Sequence, residues 1–320
     1  MIKHSVLMIT FNQEALISKA LDSILSQSIL PYEIIISDDC STDNTWQIIL
    51  HYCKNYPTLI KAKKQDRNKG IYANVNSLAH LPTGDIVSYL SGDDLYKPGI
   101  FESFNETILE KELDPIIEKF ILISNSVTLT TKGDEIIFSN YCLSEKDLFK
   151  MKIRNDLNFR ETGFSIKLFK ELPLFDENIG LHADFLHSLE QIELADNFYF
   201  IDRCFPVYRM GTGLVSKTKQ QVLAKSRLLV LGIIVNKYRS KLDFKDRLFI
   251  KYQFVYYNFL QKESFARLLK LFCFLSINIF NFTPNKTFIS ELRYLILLTV
   301  KFILERIGIY NYIKTNIKNR

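Results

Sequence analysis

The chain has 320 residues, 47% hydrophobic and 24% charged, which is typical of a globular protein with a sizeable core. Its net charge of +6 is uneven, because residues 1–216 hold 21 Lys and Arg against 30 Asp and Glu, whereas residues 217–320 hold 20 against 5. The five scattered cysteines form no CxxC pair, which argues against a disulfide framework or zinc site and indicates a reducing cytosol. An N-terminal apolar run of only six residues predicts no signal peptide.

The first hundred residues alternate between apolar strands and amphipathic helices. Leu21 and Ile24 are among the apolar residues that recur at helical spacing in the first helix, and Asn12 and Ser41 are candidate N-caps of the first and second helices. Strands are predicted at 4–11, 33–39, 58–63 and 85–90. This alternation with short connections predicts an α/β fold with a doubly wound, mostly parallel sheet.

After Pro98 the predicted elements are more mixed. A helix is followed by a hairpin, whose strands at 120–130 and 135–139 are joined by a turn at 132–134. A second helix is predicted over 183–195, with His187 on its surface. Two short closing strands are then predicted at 198–202 and 205–210. From Lys217 onwards nearly all of the sequence has the pattern of amphipathic helix.

Acidic residues stand at three predicted element ends: Asp38-Asp39, Asp93-Asp94 and, near a helix start, Asp184. The carboxyl ends of neighbouring parallel strands meet at the edge where open α/β sheets bind ligands, so the two pairs can face one ligand. One carboxylate can accept a hydrogen bond from the imide nitrogen of a uracil ring. Another can hold Mg²⁺ or Mn²⁺, which keep waters and accept diphosphate oxygens. Taken alone, each pair also fits an ordinary strand-end turn, and Asp184 fits a helix-capping acid.

The sequence contains four segments in a fixed order: SVLMITFNQE, IIISDDCSTDNT, NKGIYANVN and DIVSYLSGDDLYKP. In order and spacing they resemble the family 2 glycosyltransferases of GT-A fold. Fainter similarity continues through ADFLHSL and PVYRMGTGLVS, which resemble the acceptor-side part of the bacterial members that make polysaccharides. The resemblance implies a GT-A domain over 1–216, with a nucleotide-sugar part (1–97) and an acceptor part (98–216), followed by a helical region at 217–320.

The resemblance also implies roles for individual residues. Asp93 matches the metal-binding aspartate of the DxD-like motif, and Asp184 matches the general base on the acceptor hydroxyl. Asp39 matches the residue that recognises the nucleotide base. The full set implied to bind the donor nucleotide is Thr10, Asn12, Asp38, Asp39, Arg67, Asn68, Gly70, Asn74 and Asp94.

Three positions depart from the family pattern, and one of them is Ala183, which precedes Asp184 where the family usually has Glu or Gly. Ser91 stands where the first acid of the DxD pattern is usual, so Asp93 is expected to carry more of the metal binding. Gly211 replaces the histidine of the YRxH pattern, whose role would pass to Arg209 or to water. These departures leave a non-catalytic GT-A-like scaffold as one alternative. The other is a sugar-phosphate nucleotidyltransferase, although ITFNQEALISK lacks the glycine-rich, lysine-containing phosphate loop that this class needs.

The basic, aromatic-rich region at 217–320 indicates a different partner from the acidic first part. Its longest stretch without charged residues, 271–285, has fifteen residues, and a spanning helix needs about 20. Apolar helices with cationic flanks fit an interfacial position on anionic lipid. The alternative is a helical bundle with a solvated basic face. No nucleic-acid recognition motif is present, so we expect no nucleic-acid partner.

The resemblance, together with these features, implies an inverting, metal-dependent glycosyltransferase. The expected donor is a nucleotide sugar, UDP-linked, and the cofactor is Mn²⁺ or Mg²⁺. The expected acceptor is a hydroxyl of a glycan or lipid-linked oligosaccharide in cell-surface polysaccharide synthesis, such as O-antigen or capsule assembly. The protein is expected to be cytoplasmic and peripheral on the inner face of the plasma membrane, which it would contact through 217–320.

Overall fold

The computed structural model describes residues 2–138, 148–155 and 162–261. Within them the strands are β1 (His4–Thr10), β2 (Glu33–Asp38), β3 (Ile60–Lys64), β4 (Ile86–Ser91), β5 (Leu95–Tyr96), β6 (Phe120–Leu129), β7 (Glu135–Phe138), β8 (Thr162–Ser165) and β9 (Asn197–Arg209). The helices are α1 (Ile17–Leu25), α2 (Thr45–Asn55), α3 (Ile71–Asn76), α4 (Ile100–Glu110), α5 (Leu148–Asn155), α6 (Ile166–Glu171), α7 (Ala183–Leu194), α8 (Leu214–Lys217), α9 (Gln220–Lys237) and α10 (Phe244–Gln261).

The first half of the sheet is parallel, with strand order β3-β2-β1-β4. β1 lies in the middle of this group, and its apolar run is covered on both faces. Val6 and Met8 on one face belong to the same buried cluster as Leu21 and Ile24 of α1. Burial on both faces explains why these strands have continuous apolar sequences. The prediction of an α/β fold with a doubly wound, mostly parallel sheet is confirmed.

The second half of the sheet is mixed. β8 pairs antiparallel with both β4 and β6, and β9 runs parallel to β6. The predicted hairpin is confirmed as β6 and β7, whose turn contains Gly133 at a φ of 89°. The two predicted closing strands are wrong, because they form the single strand β9. Its pairing with β6 shifts register beside Asn125, close to the exposed Asp202 and Arg203 that interrupt the apolar pattern.

Three local predictions are also wrong. The helix caps differ, because α1 and α2 follow Leu16 and Asn44. The Asn12 side chain instead accepts a hydrogen bond from the Thr42 backbone N at 2.8 Å, which ties two loops together. His187 is buried, at 4% exposure, rather than on the helix surface. Its ring stacks on Phe175 with centroids 3.9 Å apart, and burial lowers its pKa to about 4.

The described residues form two compact units. The first comprises those up to Phe149 and those from 162 to Thr218, which include the whole sheet. The second comprises Lys150–Asn155 and the residues from Lys219 to 261, where α9 packs against α10. In this second unit, Arg154 forms ion pairs with Asp243 at 2.8 Å and with the buried Asp246 at 2.7 Å. None of the helices described is long and apolar enough to cross a membrane.

Candidate active site

The carboxyl end of β1 holds both acid pairs in place through its backbone. The carbonyl oxygen of Thr10 accepts a hydrogen bond from the Asp39 backbone N at 2.9 Å. The carbonyl oxygen of the preceding residue, Ile9, accepts one from the Gly92 backbone N, also at 2.9 Å. Because β2 and β4 flank β1 on opposite sides, Asp39 and Asp93 lie on either side of the β1 end. The two acid pairs therefore share one edge of the sheet, as open α/β ligand sites do.

The two acids after β2 have different surroundings. Asp38 is fully buried, and its carboxylate accepts hydrogen bonds from the hydroxyl and the backbone N of Ser41. Burial raises the pKa of Asp38, while the Ser41 bonds oppose this rise. The Asp39 carboxylate accepts from the backbone N of Lys69 at 2.8 Å and of Gly70 at 2.9 Å. A carboxylate has about four lone-pair sites, so Asp39 can accept a further N–H from a ligand.

The segment that contacts Asp39 leads into α3. Gly70 has a φ of 88°, a left-handed conformation that a residue with a side chain rarely adopts. Asn74 is buried, and its amide donates to the Ser37 carbonyl at 3.0 Å and accepts from the Ser37 hydroxyl at 2.6 Å. Asn74 thus fastens α3 to β2. Arg67 and Asn68, in contrast, are exposed at the sheet edge, where their side chains can reach a ligand.

The turn after β4 is packed closely against the end of β1. The Thr10 hydroxyl donates to the Gln13 side-chain oxygen at 2.6 Å. A Cβ added to Gly92 would lie 2.8 Å from the Thr10 hydroxyl oxygen and 2.9 Å from the Ile17 side chain. A side chain at position 92 would therefore push the Asp93-Asp94 turn away from β1. Gly92 is required here for close approach.

Asp93 and Asp94 are covered by the end of β9. Asp93 is 6% exposed, its backbone carbonyl accepts from the Arg209 side chain, and its Oδ2 lies 3.2 Å from the Thr212 hydroxyl. Asp94 Oδ1 accepts from the Arg209 backbone N at 3.2 Å. Burial lowers the pKa of the Arg209 guanidinium, and the charges of Asp94 and Asp93 oppose that effect. Among the described residues, Asp93 Oδ1 has no hydrogen-bond partner, so it is available to a ligand.

Gly211 could not hold a histidine without strain. Its φ is 85°, and an added Cβ would lie 2.9 Å from Thr131 Cγ2. Two nearby residues contact the Asp93-Asp94 turn instead: Arg209, two positions before Gly211, through its guanidinium, and Thr212, directly after it, through its hydroxyl. Thr212 was not singled out from the sequence. It is 119 residues away from Asp93, and no local pattern links the two.

Asp184 lies in the first turn of α7 with its side chain exposed. Its carboxylate accepts from the Phe185 backbone N at 2.9 Å, and its own backbone N donates to the Tyr72 hydroxyl at 3.3 Å. No hydrogen bond in the part of the chain described here joins its carboxylate to Asp39 or Asp93. The structure thus groups Asp39 and Asp93 around β1 and links Asp184 to this edge through Tyr72.

The residues around Asp93 suit a divalent cation whose other ligands are waters and phosphate oxygens. Across the described ranges, no group of three or more His, Cys, Asp or Glu side chains converges on a point. Mg²⁺ and Mn²⁺ do not need such a group, since they bind through one or two carboxylates together with waters and phosphate oxygens. The available Oδ1 of the buried Asp93 supplies a carboxylate oxygen of this kind. A site for a cation without a ligand phosphate would be weak here.

The sheet with acid pairs on both sides of a central strand defines an α/β protein of GT-A type. The sequence profile of glycosyl transferase family 2 matches residues 5–172, and the chain belongs to this family. Among curated relatives, the chain is 38% identical to EpsE of Bacillus subtilis over 96 residues, which are 30% of this chain and 34% of EpsE. The match to EpsE therefore spans about a third of that relative.

Other relatives match over longer stretches. A GalNAc(5)-diNAcBac-PP-undecaprenol beta-1,3-glucosyltransferase of Campylobacter jejuni is 27% identical over 214 residues, 65% of each chain. The structure of Staphylococcus aureus TarS 1–349 in complex with UDP-GlcNAc is similar with a TM-score of 0.59 at 19% identity, over 84% of this chain and 76% of TarS. The mannosyltransferase PcManGT of Pyrobaculum calidifontis, in complex with GDP-Man and Mn²⁺, has a TM-score of 0.55 at 14% identity, over 95% and 88%. At these identities the two structures establish the shared fold.

Proposed function

We propose that this protein is an inverting, metal-dependent glycosyltransferase that moves a sugar from a UDP-linked donor to a hydroxyl of a glycan or lipid-linked oligosaccharide. One observation carries the proposal: consecutive carbonyls of β1 hold Asp39 on one side and the Asp93 turn on the other. In a nucleotide sugar the ribose separates the base from the diphosphate, and two acid sites at such a spacing suit the base on one side and the diphosphate on the other. The complexes of TarS with UDP-GlcNAc and of PcManGT with GDP-Man and Mn²⁺ support this assignment.

At the donor end, the Asp39 carboxylate accepts the imide N–H of the base while it keeps its bonds to Lys69 and Gly70. Asp93 Oδ1 would hold a divalent cation, which would supply Lewis-acid stabilisation to the diphosphate leaving group. Arg209 and Thr212 fix the Asp93-Asp94 turn so that its carboxylates do not have to reorganise. The exposed Arg67 adds positive charge near the donor phosphates.

At the acceptor end, the Asp184 carboxylate removes the proton from the attacking hydroxyl. The hydroxyl oxygen then forms a bond to the anomeric carbon as the bond from that carbon to the diphosphate oxygen breaks. The nucleoside diphosphate leaves, and the configuration inverts in this single displacement. No covalent enzyme intermediate is needed. The position of Asp184 at the exposed start of α7 leaves it accessible to an acceptor.

A thermal-shift screen tests the proposed function. We expect UDP-sugars with Mn²⁺ to raise the melting temperature more than either component alone, because ligand phosphates complete the cation site. A donor at a hundredfold excess over its Kd adds about 2.7 kcal/mol of stability, which is several degrees for a chain of this size. GDP- and dTDP-sugars and a nucleoside triphosphate with a sugar phosphate serve as comparisons.

The product released separates the alternatives. Release of nucleoside diphosphate from the donor supports glycosyl transfer. Release of pyrophosphate from a nucleoside triphosphate and a sugar phosphate would identify a nucleotidyltransferase instead. Donor binding without any turnover would favour a non-catalytic scaffold, and a melting temperature that no donor changes would contradict the proposal.

We also propose that the basic region at 217–320 holds the protein on the inner face of the plasma membrane, where a lipid-linked acceptor is found. Several cations of the second unit are exposed, among them Lys219, Lys225, Arg239 and Lys245. Cations near an anionic surface each contribute about 1 kcal/mol of binding. The Campylobacter jejuni relative, whose name includes an undecaprenol-linked substrate, supports a lipid-linked acceptor.

Vesicle binding tests the membrane proposal. We expect the full chain to sediment with phosphatidylglycerol vesicles but not with phosphatidylcholine vesicles, and to dissociate as salt screens the charges. Substituting Gln at Lys219, Lys225, Arg239 and Lys245 should weaken this binding at least a hundredfold, given about 1 kcal/mol for each charge. Four Gln substitutions at exposed lysines of the first unit, Lys54, Lys111, Lys132 and Lys170, are the control. Equal binding by both variants would overturn the proposal.

A further inference from the structure

Tyr72 connects α3 to the start of α7. Its side chain is buried, at 8% exposure. The hydroxyl donates a hydrogen bond to the Leu181 carbonyl at 3.1 Å and accepts one from the Asp184 backbone N at 3.3 Å. The one hydroxyl therefore bonds to the carbonyl of Leu181, which precedes α7, and to the backbone N of Asp184, the second residue of α7. These bonds hold the backbone of Asp184, whose exposed carboxylate accepts a hydrogen bond from the Phe185 backbone N at 2.9 Å.

The ring of Tyr72 is itself held in place. Phe175 stacks on it with centroids 5.2 Å apart and an interplanar angle of 23°, and the other partner of Phe175 is His187 of α7. Burial and the charge of Asp184 raise the pKa of Tyr72 well above its usual range. The hydroxyl thus remains protonated at any working pH and keeps its proton for Leu181.

The start of α3 is also held by Asp39. Its carboxylate accepts from the backbone N of Lys69 and Gly70, which directly precede α3. Tyr72 is the second residue of that helix. A short rigid path therefore runs from the acid beside β1, through the start of α3, to the backbone of Asp184.

We propose that Tyr72 is a positioning residue for the general base, and that α3 fixes Asp184 relative to Asp39. The inference rests on the proposed function, since it assigns Asp184 the role of base. Asp184 has to be placed to within a fraction of an ångström for proton removal, and misplacement by about 1 Å can cost a hundredfold in rate. Tyr72 does not touch the acceptor or the donor in this role.

Tyr72→Phe tests the inference, because it removes the hydroxyl alone. With the full chain, Mn²⁺, a panel of UDP-, GDP- and dTDP-sugars and p-nitrophenyl glycosides as acceptors, we expect kcat to fall about 5- to 50-fold. The donor Kd should stay within twofold, because Asp39 is unchanged. Tyr52→Phe is the matched control, because the Tyr52 hydroxyl donates to the Asp22 carboxylate at 2.7 Å and so joins α2 to α1, and neither residue is assigned to the site. We expect it to keep kcat.

A second variant separates positioning from general stability. In an Asp184→Asn background, which retains a residual rate, Tyr72→Phe should cause no further loss of kcat, since the group that it positions is absent. An equal loss in both backgrounds, or an unchanged kcat in Tyr72→Phe alone, would overturn the inference. A wild-type chain that releases no nucleoside diphosphate from any donor would instead refute the proposed function.

Discussion

Asp93→Asn is expected to weaken Mn²⁺ binding at least tenfold and to reduce sugar transfer about 10²- to 10³-fold. The substitution keeps the shape of the side chain but removes the charge of its available Oδ1, the only carboxylate oxygen assigned here to the cation. Isothermal titration with Mn²⁺ in the presence of UDP measures the first effect, and release of nucleoside diphosphate measures the second. The unfolding free energy should fall by about 1–3 kcal/mol, because the buried Arg209 loses a neighbouring charge.

Asp85→Asn is the control for this prediction. Asp85 directly precedes β4, at the opposite end of the strand from Asp93, and its carboxylate accepts from the Lys3 backbone N at 2.8 Å. An asparagine can make the same bond, so Mn²⁺ binding and transfer should not change. If Asp93→Asn retained both within twofold, the assignment of Asp93 to the cation would be wrong.

Asp184→Asn is expected to reduce sugar transfer about 10²- to 10⁴-fold while leaving the donor Kd unchanged. An amide cannot take the proton of the acceptor hydroxyl, and general base catalysis typically contributes a factor of this size. The hydrogen bonds described for the Asp39 and Asp93 carboxylates do not involve Asp184. Steady-state kinetics together with donor titration distinguish the loss of kcat from a loss of binding.

Glu193→Gln tests whether removing any carboxylate from α7 lowers kcat as Asp184→Asn does. Glu193 is an exposed acid at the other end of the helix, and its substitution should leave kcat unchanged. Asp184 also contributes a favourable charge at the helix start, worth about 0.3–1 kcal/mol, so both variants need a melting curve. A normal kcat in Asp184→Asn would assign the base role to another residue.

The sequence predicted the first half of the fold better than the second. The strands β1, β2 and β4 are buried on both faces, so their apolar runs are continuous and easy to recognise. β9 was divided into two strands, because its exposed Asp202 and Arg203 look like a loop where the pairing with β6 is irregular. A bulge is an extra residue in one strand relative to its partner, so the sequence of one strand alone does not reveal it.

The candidate site was predictable where its residues are close in sequence. Asp39 and Asp93 stand at strand ends, where paired acids also fit an ordinary turn, and the resemblance to the family singled them out. The partners that hold them were not predictable. Thr212 and Tyr72 reach Asp93 and Asp184 across 119 and 112 residues, and such contacts follow from strand order rather than from any local pattern. Asn74, predicted at the donor pocket, is buried against Ser37.

The hydrogen bonds of the Ile9 and Thr10 carbonyls fix the distance between the two acid sites of the sheet. Asp39 and Gly92 are attached to consecutive carbonyls of one strand, so the strands that carry the two acid pairs are separated by two strand spacings, about 9.6 Å. This interval is set by backbone geometry, and no single side chain adjusts it. Substitutions can therefore change the groups that bind at either acid site, while the distance between the two sites stays fixed.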